Sequence, residues 1–136
     1  MLFRSVSALE KVRQPFNTNA VAQAGAMAAL DDEAHLANTR RTNAEGLKFF
    51  EALCTGQGIE FVPSYANFVM VRVGDGQAVF EAMQRQGVIT RPMGGYGLPE
   101  WIRLSIGTAA ENQRAAEALK TALAWTQGRD GRPGRP

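Results

Sequence analysis

The chain of 136 residues contains one cysteine, one histidine and three lysines. A lone Cys54 excludes an intrachain disulfide and a cysteine cluster for a metal ion. His35 is the single histidine and falls in a polar stretch that reads as helix surface. A His/Cys metal centre or a Ser-His-Asp triad therefore lacks its parts. No stretch approaches the ~18 apolar residues of a membrane span. Met1-Leu2-Phe3-Arg4-Ser5 lacks the apolar core of a secretory signal, so the expected compartment is the cytoplasm. Of the three lysines, Lys48 and Lys120 lie beside acidic residues on helix faces. None of them, Lys11 included, has a setting that would lower its pKa for nucleophilic work. Carboxylates are scattered along helices, with no acid/base pair. The body of the chain also lacks an excess of one charge. Residues 128–136 hold three arginines and one aspartate, which account for the whole net charge of +2. That segment reads as a disordered basic tail, and a basic cluster on a folded face, the footprint of nucleic-acid binding, is missing.

What is present is the composition of a globular domain, 45% hydrophobic and 21% charged. Leu2, Val6, Leu9 and Val12 recur at helical spacing over residues 1–14. Arg13-Gln14-Pro15-Phe16-Asn17 then reads as an extended connection, because the residue before proline avoids the α region. Asn19 can cap an alanine-rich helix over 20–30. Asp31 and Asp32 act as stop and fresh cap for a long helix over about 33–55. Its apolar face is Leu36, Ala44, Leu47, Phe50 and Cys54 with Leu53 alongside, and its outer face has Arg41 and Glu45 one turn apart. Gly56 and Gly58 end it. Strands follow at 59–62 and 67–73, then a helix over about 77–86 with Val79, Phe80 and Met83 inward. A short strand at 88–91 is closed by Pro92, and the glycine-rich Met93–Pro99 reads as a flexible loop.

The stretch Trp101–Thr108 alternates, with Ile102, Leu104 and Ile106 on one side and Trp101, Arg103 and Ser105 on the other. Arg103 thus stands on a stiff mount that can present a guanidinium fork to a carboxylate or phosphate. Thr108 and Glu111 have capping-box spacing for a final helix from Ala109 to about Trp125, with Ala115, Leu119, Ala122 and Leu123 inward. Arg91 ends the preceding strand, so two arginines can converge on one anion, or else stand as exposed surface charges. The expected fold class is α+β (mixed α/β): a small mixed sheet of three or four strands covered by helices.

Five motifs in order resemble one family. Arg13–Asn19, Pro63-Ser64-Tyr65-Ala66-Asn67-Phe68, Gly87-Val88-Ile89-Thr90-Arg91-Pro92, Tyr96-Gly97-Leu98-Pro99 and Ile102–Thr108 look like the C-terminal part of the histidinol-phosphate aminotransferases. These are fold-type I, class I/II aminotransferases that use pyridoxal phosphate. The resemblance implies that Arg103 takes the substrate carboxylate and Arg91 its phosphate end, with Asn67 and Tyr96 lining the same region. It implies a small-molecule substrate, an amino acid or its phosphate, a homodimeric family, and amino transfer between histidinol phosphate and 2-oxoglutarate in histidine biosynthesis. It divides the chain into a remnant of the large-domain end and connection (1–18), the small domain (19–127) and the tail (128–136). In such enzymes the Schiff-base lysine lies upstream of the Arg-Gln-Pro-Phe-Asn motif. The chain alone is therefore expected to have no catalytic lysine, to bind no pyridoxal phosphate and to be inactive. A non-catalytic anion-binding or oligomerisation module on this fold, or an aromatic-amino-acid aminotransferase, stays open beside that reading.

Overall fold

A computed structural model describes residues 2–14 and 17–127. The expected extended connection at Pro15-Phe16 and the tail from residue 128 lie outside the described residues. The chain groups into two compact units, Met1–Ala37 and Asn38–Pro136, a division that falls later than residue 18 and inside a helix.

The first unit contains α1 (Leu2–Val12), α2 (Ala20–Leu30) and the start of α3 (Glu33–Gln57). Asn19 Oδ1 accepts from the Ala22 backbone N–H at 2.8 Å, and Asp32 Oδ1 accepts from His35 N–H at 2.8 Å. Both expected caps are thus made. No residue of α2 is buried.

The second unit is a four-stranded sheet with helices on one face. The strands are β1 (Phe61–Val62), β2 (Phe68–Arg72), β3 (Arg91–Pro92) and β4 (Trp101–Ser105), in spatial order β1-β2-β4-β3. Every neighbouring pair is antiparallel. The expected mixed sheet is corrected here. β2 and β3 run the same way, but β4 lies between them, so no parallel pair forms. β3 is shorter than the strand expected over 88–91, and β1 starts at Phe61 because Ile59 serves the end of α3.

One face of the sheet carries Val69, Val71, Ile102 and Leu104, none more than 2% exposed. Against it pack Phe50 and Cys54 of α3, Val79 and Met83 of α4 (Gly76–Arg85), and Leu119 and Ala122 of α5 (Ala109–Gln127). The buried stripe of α3 is Gly46, Phe50 and Cys54, with Leu47 and Leu53 half-buried. Leu36 and Ala44 are exposed, contrary to the apolar face read from spacing. Arg41 turns back to Asn38 Oδ1 at 2.7 Å rather than forward to Glu45.

Helix ends are closed by backbone geometry. Gly58, at φ +66°, donates to Thr55 O while Ile59 N–H reaches Cys54 O at 2.9 Å. Gly87, at φ +76°, repeats the pattern, with Val88 N–H on Met83 O at 3.1 Å. Both are Schellman endings that need a left-handed residue. The expected flexible loop is a hydrogen-bonded 3-10 turn, Gly94–Tyr96, closed by Gly97 N–H on Gly94 O at 3.0 Å.

Gly46 lets α3 approach the turn between β4 and α5. A Cβ there would stand 2.3 Å from Ile106 Cγ2 and 2.7 Å from Asn112 Nδ2. Gly56, in the same helix, has nothing within 4 Å of its virtual Cβ. Gly46→Ala is therefore expected to lower stability by about 1–3 kcal/mol despite alanine's better helix propensity. Gly56→Ala is expected to be neutral or to stabilise by up to about 1 kcal/mol. Urea unfolding of the two variants checks this, and equal effects would refute the packing role of Gly46.

Candidate anion-binding site

The site lies on the uncovered face of the sheet. Pairing of Met70 with Arg103, of Arg91 with Arg103 and of Val62 with Met70 puts these four side chains in one row across all four strands. The row runs from apolar at the β1 edge to cationic at the β3 edge. Phe68 and Ser105 form the next rung on one side, and Arg72 and Trp101 the rung on the other.

Arg91 and Arg103 are thus direct cross-strand neighbours. Like charges placed directly opposite destabilise a sheet. Among the described residues neither arginine forms an ion pair. Arg72, on the same face, is treated differently. Its Nη1 is 2.9 Å from Glu60 Oε2 and its Nη2 2.8 Å from Glu100 Oε2. Hydrogen bonds and charge from these carboxylates raise its pKa further. One of three arginines on this face is neutralised, and the other two keep their charge for something else.

Arg103 is anchored in a way that spacing along the chain does not reveal. Its guanidinium carbon lies 5.0 Å from the centre of the Phe68 ring. Its Nε is sealed from solvent and has no acceptor. Phe68 is reached diagonally across the β2–β4 pair. The signal for it was the antiparallel register, which a single strand does not carry.

The other expected site residues lie elsewhere. Asn67 precedes β2, and its backbone carbonyl accepts from Ile106 N–H at 2.8 Å. It lines a depression of about 580 Å³ with Asn38, Arg40, Asn43, Thr108 and Glu111. Tyr96 sits in the 3-10 turn, 65% exposed. It lines neither that depression nor a second one of about 370 Å³, formed by Val62, Pro63, Tyr65, Phe68 and Met70 beside the arginine row. Arg91 and Arg103 face each other across paired strands, while Asn67 stands just before β2 and Tyr96 in the 3-10 turn.

The end of β4 is held by a side-chain clamp. Asn112, 4% exposed, accepts from Gly107 N–H at 2.9 Å and donates to Gly107 O at 3.0 Å. The capping box forms next to it, with Thr108 N–H donating to Glu111 Oε2 at 2.8 Å. Burial pushes the Cys54 thiol up to about 11, so it remains protonated and inert. Among the described residues there is no cluster of His, Cys, Asp and Glu fit for a metal, and no helix long and apolar enough to cross a membrane.

The sheet thus carries helices on one face and the paired Arg91 and Arg103 on the other. Residues 4–119 match the family model described as aminotransferase class I and II. The chain belongs to that family. It is 50% identical over 117 residues to the histidinol-phosphate aminotransferase of Akkermansia muciniphila, covering 86% of this chain and 32% of that protein. It is 49% identical over 123 residues to histidinol-phosphate aminotransferase 2 of Ralstonia nicotianae, covering 88% and 33%. The chain therefore spans about a third of the length of the curated relatives it matches. Among solved structures, the histidinol-phosphate aminotransferase of Sinorhizobium meliloti in complex with pyridoxal-5'-phosphate superposes with a TM-score of 0.77 at 27% identity. The match covers 88% of this chain and 34% of that one. The Clostridium acetobutylicum enzyme of the same name shares the fold, with a TM-score of 0.77 at 22% identity.

Hydrogen bonds from Thr108, backbone first and hydroxyl second, hold the Glu111 carboxyl below the usual glutamate range. A group whose folded pKa is depressed adds stability above its unfolded pKa, and that stability is lost as the pH falls through the folded value. Melting temperatures from about pH 7 to about pH 3 should show an acid limb beginning near pH 4. Glu111→Gln should flatten that limb. A limb unchanged in the variant would refute the contribution of the cap.

Proposed function

We propose that this chain supplies the substrate-anion wall of a histidinol-phosphate aminotransferase. Arg103 binds the carboxylate of the amino-acid partner and Arg91 the phosphate end of histidinol phosphate. The observation that carries the reading is the direct pairing of two arginines with no acidic partner among the described residues. The relatives' names support the substrate, because each is called a histidinol-phosphate aminotransferase. Arg103 sits on an inner strand and is half-buried, whereas Arg91 is exposed on the edge strand. The inner arginine fixes the orientation of its anion, and the edge arginine adds charge.

Pyridoxal phosphate is the cofactor of the family, but the residues described here do not fit it by themselves. Lys48 and Lys120 are exposed on α3 and α5, which cover the opposite face of the sheet from the arginines. Lys11 belongs to the first unit. The chain's own contribution is to bind and orient the substrate, and amine chemistry belongs to groups outside these residues.

Two outcomes follow. In calorimetric titration with 2-oxoglutarate, which carries carboxylates and no phosphate, Arg103→Ala should weaken binding about tenfold or more, as expected for a lost charged hydrogen bond of about 1.5–3 kcal/mol. Arg91→Ala should cost less, about 0–1 kcal/mol for an exposed charge. Equal affinity of Arg103→Ala and the parent would overturn the assignment. Mixed with pyridoxal phosphate and treated with borohydride, the chain should acquire no adduct on any single lysine. A stoichiometric adduct on one of them would show that the chain holds the cofactor unaided.

A further inference from the structure

We propose that Phe68 is a positioning residue for Arg103: its ring seals the Nε edge of the guanidinium and leaves the terminal nitrogens for the substrate anion. The inference deepens the reading of Arg103 as the carboxylate-binding group and rests on it.

Three observations combine. The guanidinium carbon is 5.0 Å from the ring centre, within the range of a cation–π contact. Nε is buried without an acceptor, an arrangement that costs free energy unless the remaining donors are well used. No hydrogen bond or ion pair among the described residues engages the terminal nitrogens. An ordinary surface arginine turns all its donors to water or to a carboxylate, as Arg72 does with Glu60 and Glu100. Arg103 instead holds its guanidinium over the Phe68 ring with Nε buried and without an acceptor.

The register explains why Phe68 can do this. Phe68 pairs with Ser105 and Met70 with Arg103. The diagonal between Phe68 and Arg103 is within reach of an aromatic and a long side chain. Ser105 is small enough to leave the diagonal open. Both strands are internal, so neither end of the contact frays with a sheet edge.

The physical consequence is pre-organisation. A free arginine must be immobilised when it binds an anion, and the lost side-chain freedom weakens its binding. An arginine already stacked on a ring has met most of that cost on folding. A planar guanidinium stacks in this way, whereas a lysine ammonium neither stacks flat nor presents a fork. Phe68 therefore makes position 103 selective for arginine.

2-Oxoglutarate, a dicarboxylate without phosphate, is the probe, titrated into the whole chain and followed by calorimetry and by the arginine Nε–H signals in NMR. In the parent, the Arg103 Nε–H should resonate at high field under the ring current and exchange slowly with water. Phe68→Leu, which keeps the apolar bulk, should lose that shift and bind 2-oxoglutarate about three- to tenfold more weakly. Phe68→Tyr, which keeps the ring, should restore both. If Phe68→Leu binds like the parent while Arg103→Ala does not bind, Phe68 is structural only, and the role of Arg103 stands. If Arg103→Ala binds like the parent, the reading of Arg103 itself falls, and this inference with it. An Arg103 Nε–H at an ordinary arginine position in the parent would overturn the proposal even if Phe68→Leu failed to fold.

Discussion

Five residue pairs between β2 and β4 carry the rest of the second unit. They point Val69, Val71, Ile102 and Leu104 into the helices and turn Phe68, Met70, Arg103 and Ser105 the other way. A slip of one residue would exchange the two sets, burying a guanidinium and exposing four apolar side chains. The register is pinned from both ends. At one end, Ile106 N–H bonds to Asn67 O, and Asn112 clamps Gly107 directly after it. At the other, Val73 N–H reaches Glu100 O at 2.8 Å, and Arg72 joins Glu60 to Glu100. The bare Cα of Gly46 then lets α3 close on the clamped turn.

Much of this was legible in the chain, and the limits have physical causes. The alternation over 101–106, the caps at Asn19, Asp32 and Thr108, and the stop at Gly58 are local, and each formed as read. They depend on side chains within a few residues of the backbone groups they satisfy. Errors came where partners are distant. Leu36 and Ala44 follow the helical period of α3 but lie outside the stripe that meets the sheet. The segment 88–91 has strand composition, yet only Arg91 and Pro92 pair with β4. The mixed sheet was inferred from element order, and order does not say that β4 inserts between β2 and β3.

The site shows the same division. Arg91 and Arg103 could be singled out because each is an arginine at the end of, or within, a strand. Their juxtaposition needed the register, and so did the contact of Arg103 with Phe68. Asn67 and Tyr96 entered through family resemblance alone. The described geometry places them on a different depression and on a separate turn. The resemblance to an aminotransferase small domain holds over residues 4–119, and the detailed lining of the site does not follow from it.

The two arginines are not equivalent, and the difference lies in where the sheet puts them. Arg91 is exposed on an edge strand two residues long, so its charge is screened by salt within about 8–10 Å and its side chain is free to wander. Arg103 is on an inner strand, half-buried, with a ring beneath it. Its field is less screened, because part of its surroundings is hydrocarbon rather than water. Repulsion between the pair works against the fold while the site is empty. The sheet can hold this arrangement because its opposite face is closed by three helices. One face supplies the stability that the like-charged pair on the other face works against.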